Sequence, residues 1–286
     1  MELDNQPTEN MAQTLANELK QPISIAESER FPAVRRVALP PGWSMKEYND
    51  EKLQPAPCRK TANVSLQDDT SFTNYLKKHG SLANSSIWCH ASYSNSDVSF
   101  TAILNDHGDE ENQPAWRDHL ATFKPKFSEE WVRWINKNKQ PFSQPEFAAF
   151  IEENMKDIAS VEGSPSGGQM LEMALNFEAN QDMRFKSAVR LQSGGINMSF
   201  VQTDDAQTIA QMQMFDRFTL GLPVFWSGDA YQVNARLRYR QREGKLTFYY
   251  ELVRQDKVLE DATLTLINKI RESTGNPFFF GDPFAK

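Results

Sequence analysis

Cysteine is nearly absent: Cys58 and Cys89 are the only two in 286 residues. Two thiols build no disulfide framework and no CxxC motif, so a reducing compartment is expected. Histidine is scarce as well, limited to His79, His90, His107 and His119. None stands in an HExxH pattern and no paired CxxC supplies a zinc shell, so the residues predict no metal and no cofactor. The chain has no GxSxG elbow and no GxGxxG fingerprint. Its GSPSGG stretch, residues 163–168, lacks the lysine and the spacing of a phosphate loop. No stretch approaches the roughly 20 apolar residues that span a bilayer, so no membrane partner is expected. The start, MELDNQPTENMAQTL, has neither the basic residues nor the apolar run of a secretory signal. An excess of positive charge is also missing. A formal net charge of −7 argues against a DNA-coating protein, while leaving a local basic surface open.

What is present reads as α+β: antiparallel hairpins packed with several helices, preceded by an extended N-terminal arm. Residues 1–65 form that arm, with Pro32, Pro40, Pro41, Pro55 and Pro57 and little periodicity. Within it NMAQTLANELK suits a short helix, while PAVRRVALPPGW is extended between its prolines. Residues 66–275 carry the regular elements, and residues 276–286 form a Phe-rich tail. DTSFTNYLKKHG predicts a helix closed by Gly80. SSIWCHASYS and DVSFTAILNDHG alternate as strands. KFSEEWVRWINKNKQP is a helix capped by Ser128 with acids in its first turn. Ser143 and Glu146 have capping-box spacing, and Phe147, Phe150, Ile151, Met155 and Ile158 follow on one helical face. QMLEMALNFEAN gives another helix, and FKSAVRLQ with INMSFVQ a hairpin through Ser193-Gly194-Gly195. VLEDATLTLINKIRESTGNP is a final helix stopped by Gly275 and Pro277. Hairpins in place of βαβ crossovers set the class.

The stretch YQVNARLRYRQREGKLTFYYELVR, residues 231–254, holds six Lys/Arg against two acids, so it is locally +4 and the remainder −11. Strand alternation puts Tyr231, Val233, Ala235, Leu237 and Tyr239 on one face. Gln232, Asn234, Arg236, Arg238 and Arg240 share the other. The returning strand must place Leu246, Phe248, Tyr250 and Leu252 with the apolar set, which brings Tyr249 and Glu251 beside the arginines. Three arginines with a tyrosine suit the phosphates and bases of nucleic acid or a nucleotide. The same stripe also suits a solvated face meeting Glu251, or a subunit interface where guanidinium forks meet carboxylates.

Other features carry less chemistry. Asp106-His107, Asp118-His119 and Cys89-His90 are adjacent pairs, and neighbours in a strand point to opposite faces, so adjacency makes no catalytic dyad. The acids of GDEEN, residues 108–112, suit a solvated tip. FTLGLPVFWSGDAY, with Phe225 and Trp226, reads as a turn-rich buried corner or a partner surface. NPFFFGDPFAK holds four phenylalanines in eleven residues and must dock on its own body or on a neighbour. Trp43 in the arm, with Phe278, Phe279 and Phe280 in the tail, are the candidate oligomer contacts.

FTAILNDHG, PAWRDHLATF, SEEWVRWI, PFSQPEFAAFIEEN, FKSAVRLQ, FTLGLPVFWSGDAYQVNARLRYR and VLEDA occur in that order between about residues 70 and 275. Through these stretches the chain resembles the YfdQ-like family of phage and prophage proteins, a domain of unknown function. The resemblance implies a gene of a temperate phage or prophage, expressed in the host bacterial cytoplasm as an accessory protein. It transfers no catalytic residue, and it leaves the arm and the tail outside.

Together these readings predict a non-catalytic, self-associating homo-oligomer that binds nucleic acid, a nucleotide signal or a host protein, in DNA transactions or counter-defence. Its ligand residues are Arg236, Arg238, Arg240 and Tyr249. The alternative is a structural protein assembling into a ring or closed shell. A third reading is an enzyme acting on nucleic acid through Asp106, His107 and His119.

Overall fold

The structure, a computed structural model, describes residues 23–27, 35–38, 53–57, 59–108, 113–176, 183–190, 195–202, 208–242 and 245–285. The chain divides into two compact units, Met1–Lys60 and Thr61–Lys286. In the first, β1 (Ile23–Glu27) pairs antiparallel with β2 (Arg35–Ala38), which lies in the stretch expected to be extended. The expected helix at NMAQTLANELK, Trp43, Cys58 and the acids of GDEEN lie outside the described residues.

Among its described residues the second unit has three sheets. One has the order β14 (Phe278–Phe280), β4 (Ser86–Ser92), β5 (Asp97–Ile103), β6 (His119–Phe123), β3 (Ala62–Leu66). Another comprises β8 (Met183–Arg190), β9 (Gly195–Gln202) and β10 (Thr208–Phe215), where β8 and β9 are the expected hairpin. The last has the order β11 (Arg217–Pro223), β12 (Ala230–Arg242), β13 (Lys245–Leu252), β7 (Phe142–Ser143). Five helices accompany them among the described residues: α1 (Asp69–His79), α2 (Glu129–Lys137), α3 (Gln144–Glu153), α4 (Gly167–Asn176) and α5 (Gln255–Thr274). The class is α+β. Hairpins are not the whole of it, because β3 pairs parallel with β6 and β14 parallel with β4.

Local chemistry explains the helix ends. Asp68 accepts the Ser71 N–H at 2.7 Å to open α1. Gly80 closes it by donating to the Leu76 carbonyl at 2.7 Å, with φ at −98°. Room decides that glycine, since a Cβ there would lie 2.7 Å from Ser85 Oγ. At the end of α5 conformation decides, for Gly275 sits at φ 70°. The Ser143 N–H donates to Glu146 at 2.8 Å in the expected capping box. Helix α3 ends sooner than the apolar spacing suggested. The Asn154 side chain donates to the Phe150 carbonyl at 2.7 Å, so Met155 falls in a following turn and is 40% exposed.

The first sheet buries Ile87, Cys89, Phe100, Ala121 and Phe123, with Phe72 of α1 packed 5.7 Å from the Phe123 ring. The tail docks on its own body here. Phe278–Phe280 add a strand beside β4, with Phe279 4.9 Å from the Trp88 ring, yet Phe279 and Phe280 stay 45% and 61% exposed. The last sheet buries Phe218, Leu220, Val233, Leu237, Phe248 and Tyr250 against α2 and α3. Trp134 is central there, with ring centroids 4.8 Å from Phe150 and 5.2 Å from Tyr250. FTLGLP is therefore strand, and only the residues after Pro223 form a corner, with Val224 buried and Trp226 62% exposed.

Trp134 Nε1 donates to Asp157 Oδ2 at 2.8 Å, and Arg133 Nη1 stands 3.8 Å from the same oxygen. Burial pushes the Asp157 carboxyl above its usual range, against the pull of the Trp134 N–H and the Arg133 guanidinium. The stability it lends is thus complete below the unfolded carboxylate range and is lost as pH rises through the raised folded value. Asp157→Asn keeps an acceptor for Trp134 and removes the buried charge. It should be at least as stable as the parent at about pH 7, with the advantage shrinking towards about pH 4. Thermal unfolding at both pH values checks this.

Candidate functional site

Pairing of β12 with β13 brings Arg236 opposite Glu251, Arg238 opposite Tyr249 and Arg240 opposite Thr247. Val233, Ala235 and Leu237 are buried on the opposite face, so the expected alternation holds. The three arginines are exposed and repeat at intervals of about 6.8 Å along the strand. Glu251 faces Arg236 in register, but among the described residues none of the three arginines makes an ion pair. Tyr249 is half-buried beside the middle arginine.

One end of this stripe opens into a polar concavity of about 750 Å³. Arg236 and Arg238 line it, whereas Arg240 and Tyr249 lie outside it. Arg217 of β11, directly opposite Arg236, joins them. Thr219 donates to Asn234 at 3.2 Å on the floor. The turn at 161–164 forms a wall, held by the Ala159 N–H to the Thr219 carbonyl at 2.8 Å. Arg217 and Ser164 were absent from the candidates read in the sequence. The alternation of RFTLGLP would have shown Arg217 on the polar face; nothing local points to Ser164.

A second cleft, among Phe123, Phe225, Trp226 and Leu266, measures only about 100 Å³. That is below the range of about 300–1,000 Å³ typical of small-molecule sites.

His119 does not join Asp106 and His107. Asp106 accepts from Ser86 Oγ at 2.7 Å and pairs with Arg117 at 2.9 Å, with the exposed His107 at 3.7 Å. His119 is buried, with Nε2 3.1 Å from the Tyr75 hydroxyl and its ring 6.0 Å from that of His79. Cys89 and His90 take opposite faces of β4, the thiol 1% exposed and the imidazole open to solvent. Burial pushes the Cys89 thiol up to about 12, far from a nucleophilic thiolate. Among the described residues no group of three His, Cys, Asp or Glu is placed to hold a metal ion.

Residues 5–283 match a family described as an uncharacterized conserved protein, DUF2303. The chain belongs to the DUF2303 family. No curated protein and no solved structure matches it. The DUF2303 match starts within the N-terminal arm and ends within the Phe-rich tail, so it takes in both ends of the chain. Among the described residues of this DUF2303 chain, no helix is long and apolar enough to cross a membrane.

In a Cys58→Ser variant Cys89 is the one thiol left. It should resist iodoacetamide at about pH 8 in the folded protein and react on unfolding. Alkylation of the folded protein at the rate of a free thiol would contradict the buried assignment.

Proposed function

We propose that this protein is a non-catalytic accessory protein of a phage or prophage, acting in the bacterial cytoplasm, and that its arginine face binds single-stranded nucleic acid. One observation carries the reading: Arg236, Arg238 and Arg240 stand in a row on an open sheet face, without an ion pair among the described residues and with Tyr249 beside the middle one. A repeat every second strand residue suits successive phosphates of an extended strand better than a single nucleotide, which would need its cations in one cluster. Tyr249 offers a stacking surface for a base, a sequence-tolerant contact.

Replacing Arg236, Arg238 and Arg240 with glutamine should weaken single-strand binding. The slope of log affinity against log salt should flatten by about 2, since each phosphate contact contributes about 0.7. Tyr249→Ala should cost about 1–3 kcal/mol of binding. Titration at two salt concentrations reads both. If the triple variant keeps its affinity and instead loses native mass, the arginines serve a subunit interface and the proposal fails.

Self-association is the second part of the reading, and a ring or closed shell is its structural alternative. The exposed rings of Phe279 and Phe280 on the outer strand of the first sheet favour it. A chain lacking residues 1–60, and separately a Phe279→Ser, Phe280→Ser variant, should show a lower native mass while staying folded. An unchanged mass in both would remove arm and tail from any assembly.

A further inference from the structure

The row of cations on β12 stops at Arg236. The next two positions on the same face are Asn234 and Gln232, which carry no charge. At this last step the cations double, because Arg217 of β11 stands directly opposite Arg236. Like charges in register across a strand pair repel each other. Asp216, 3.4 Å from Arg217 Nε, offsets that only in part, and Arg236 has no ion pair among the described residues. We propose that this concavity seats a terminal phosphate of the bound strand, an inference that rests on strand binding by the arginine face.

The chemistry favours an end over a phosphate within the chain. A phosphodiester carries one negative charge, whereas a phosphate monoester carries about −1.5 to −2 near neutral pH and presents three acceptor oxygens. Arg217, Arg236 and Arg238 all line the concavity, set against the carboxylates of Glu162 and Asp216. Three guanidiniums beside two carboxylates leave a net positive site that gains more from a dianion than from a diester. Ser164 adds a donor. Its hydroxyl oxygen is buried at the wall with no hydrogen-bond partner among the described residues, a state rare for a buried polar atom. The neighbouring Gly163, at φ 78°, turns the backbone that holds it there. Asn234 and Gln232, the positions beyond the last cation on this face, carry no charge, as suits the place where the strand stops.

The test uses one fluorescent single strand in four forms: 5′-phosphorylated, 3′-phosphorylated, unphosphorylated and circular. The full-length protein should prefer one phosphorylated end by about tenfold, the size expected of added charge-assisted hydrogen bonds. Arg217→Gln and Ser164→Ala should each weaken binding of the preferred phosphorylated form by a larger factor than binding of the unphosphorylated strand, and so reduce that preference. The Arg217 side chain is 61% exposed and the Ser164 hydroxyl unpartnered, so both variants should fold, which thermal unfolding verifies. Equal binding of all four forms, weakened by loss of Arg236, Arg238 and Arg240, overturns the terminal seat and leaves the strand-binding reading standing. A preference that survives unchanged in both variants also overturns the seat. Absence of binding to every form overturns both readings together.

Discussion

Strand β12 has apolar side chains on one face and cationic ones on the other, and the aromatic packing beneath its partner β13 decides which face meets water. Tyr250 donates its hydroxyl to the Trp134 carbonyl at 2.7 Å, and the backbone beyond α2 continues the anchoring. The Lys139 N–H reaches the Tyr250 carbonyl at 2.8 Å, and Asn138 Oδ1 accepts the Leu252 N–H at 3.0 Å. Phe142 of β7 pairs with Phe248 on the same strand. These contacts hold β13 in one register, and β13 holds β12. A slip of one residue would turn Arg236 and Arg238 onto the buried face that Val233, Ala235 and Leu237 occupy. Burying such a charge unpaired costs several kcal/mol, so the arginine face follows from the core.

An acidic protein has carboxylates enough to neutralise such a stripe. Several of those carboxylates are engaged elsewhere, mostly near their own positions in the chain. Asp68 opens α1, and the Ser71 N–H it accepts holds its carboxyl below the usual range. Glu146 is lowered in the same way by Ser143. Asp97 pairs with Lys124, Asp69 with Lys269, Asp256 with Arg254 and Glu260 with Lys257. Exposed pairs of this sort contribute about 0–1 kcal/mol each, so the fold gains little by adding three more over β12. The three arginines therefore stay without an ion pair among the described residues at almost no cost in stability. That freedom separates them from Arg117, which is tied to Asp106.

The sequence made local features legible and long-range pairings illegible. Ser128, Ser143 and Glu146 announced helix starts because a cap is a contact between residues three apart, and the α2 and α3 starts follow them. The two faces of β12 were legible because alternation is a property of one strand. In contrast, β3 and β14 are short strands that join parallel to β6 and β4, and no turn links either pair. HLATF, the later β6, alternates over only five residues between polar stretches, too brief a run to stand out. Met155 was misplaced because apolar spacing continued past the point where Asn154 ends the helix.

The concavity illustrates the same division within the candidate site. Arg236 and Arg238 could be read as a pair from β12 alone. Arg217 could not be added without knowing that RFTLGLP is a strand, and Gly221 and Pro223 made that stretch resemble a turn. Phe218, Leu220 and Leu222 are nevertheless all buried, while Arg217 is open and Gly221 half-buried on the face between them. Gly221 lies beside the 158–164 segment, where a Cβ would meet Ala159 Cβ at 3.5 Å, an ordinary contact. Ser164 arrives by a different route. Ile158 bridges to Leu220, Ala159 donates to the Thr219 carbonyl, and the chain then turns over the polar face. Two backbone contacts along the outer edge of β11 thus carry a hydroxyl to arginines more than 50 residues away in sequence. A site made by such edge pairing leaves no motif, because its members share a sheet face and not a segment.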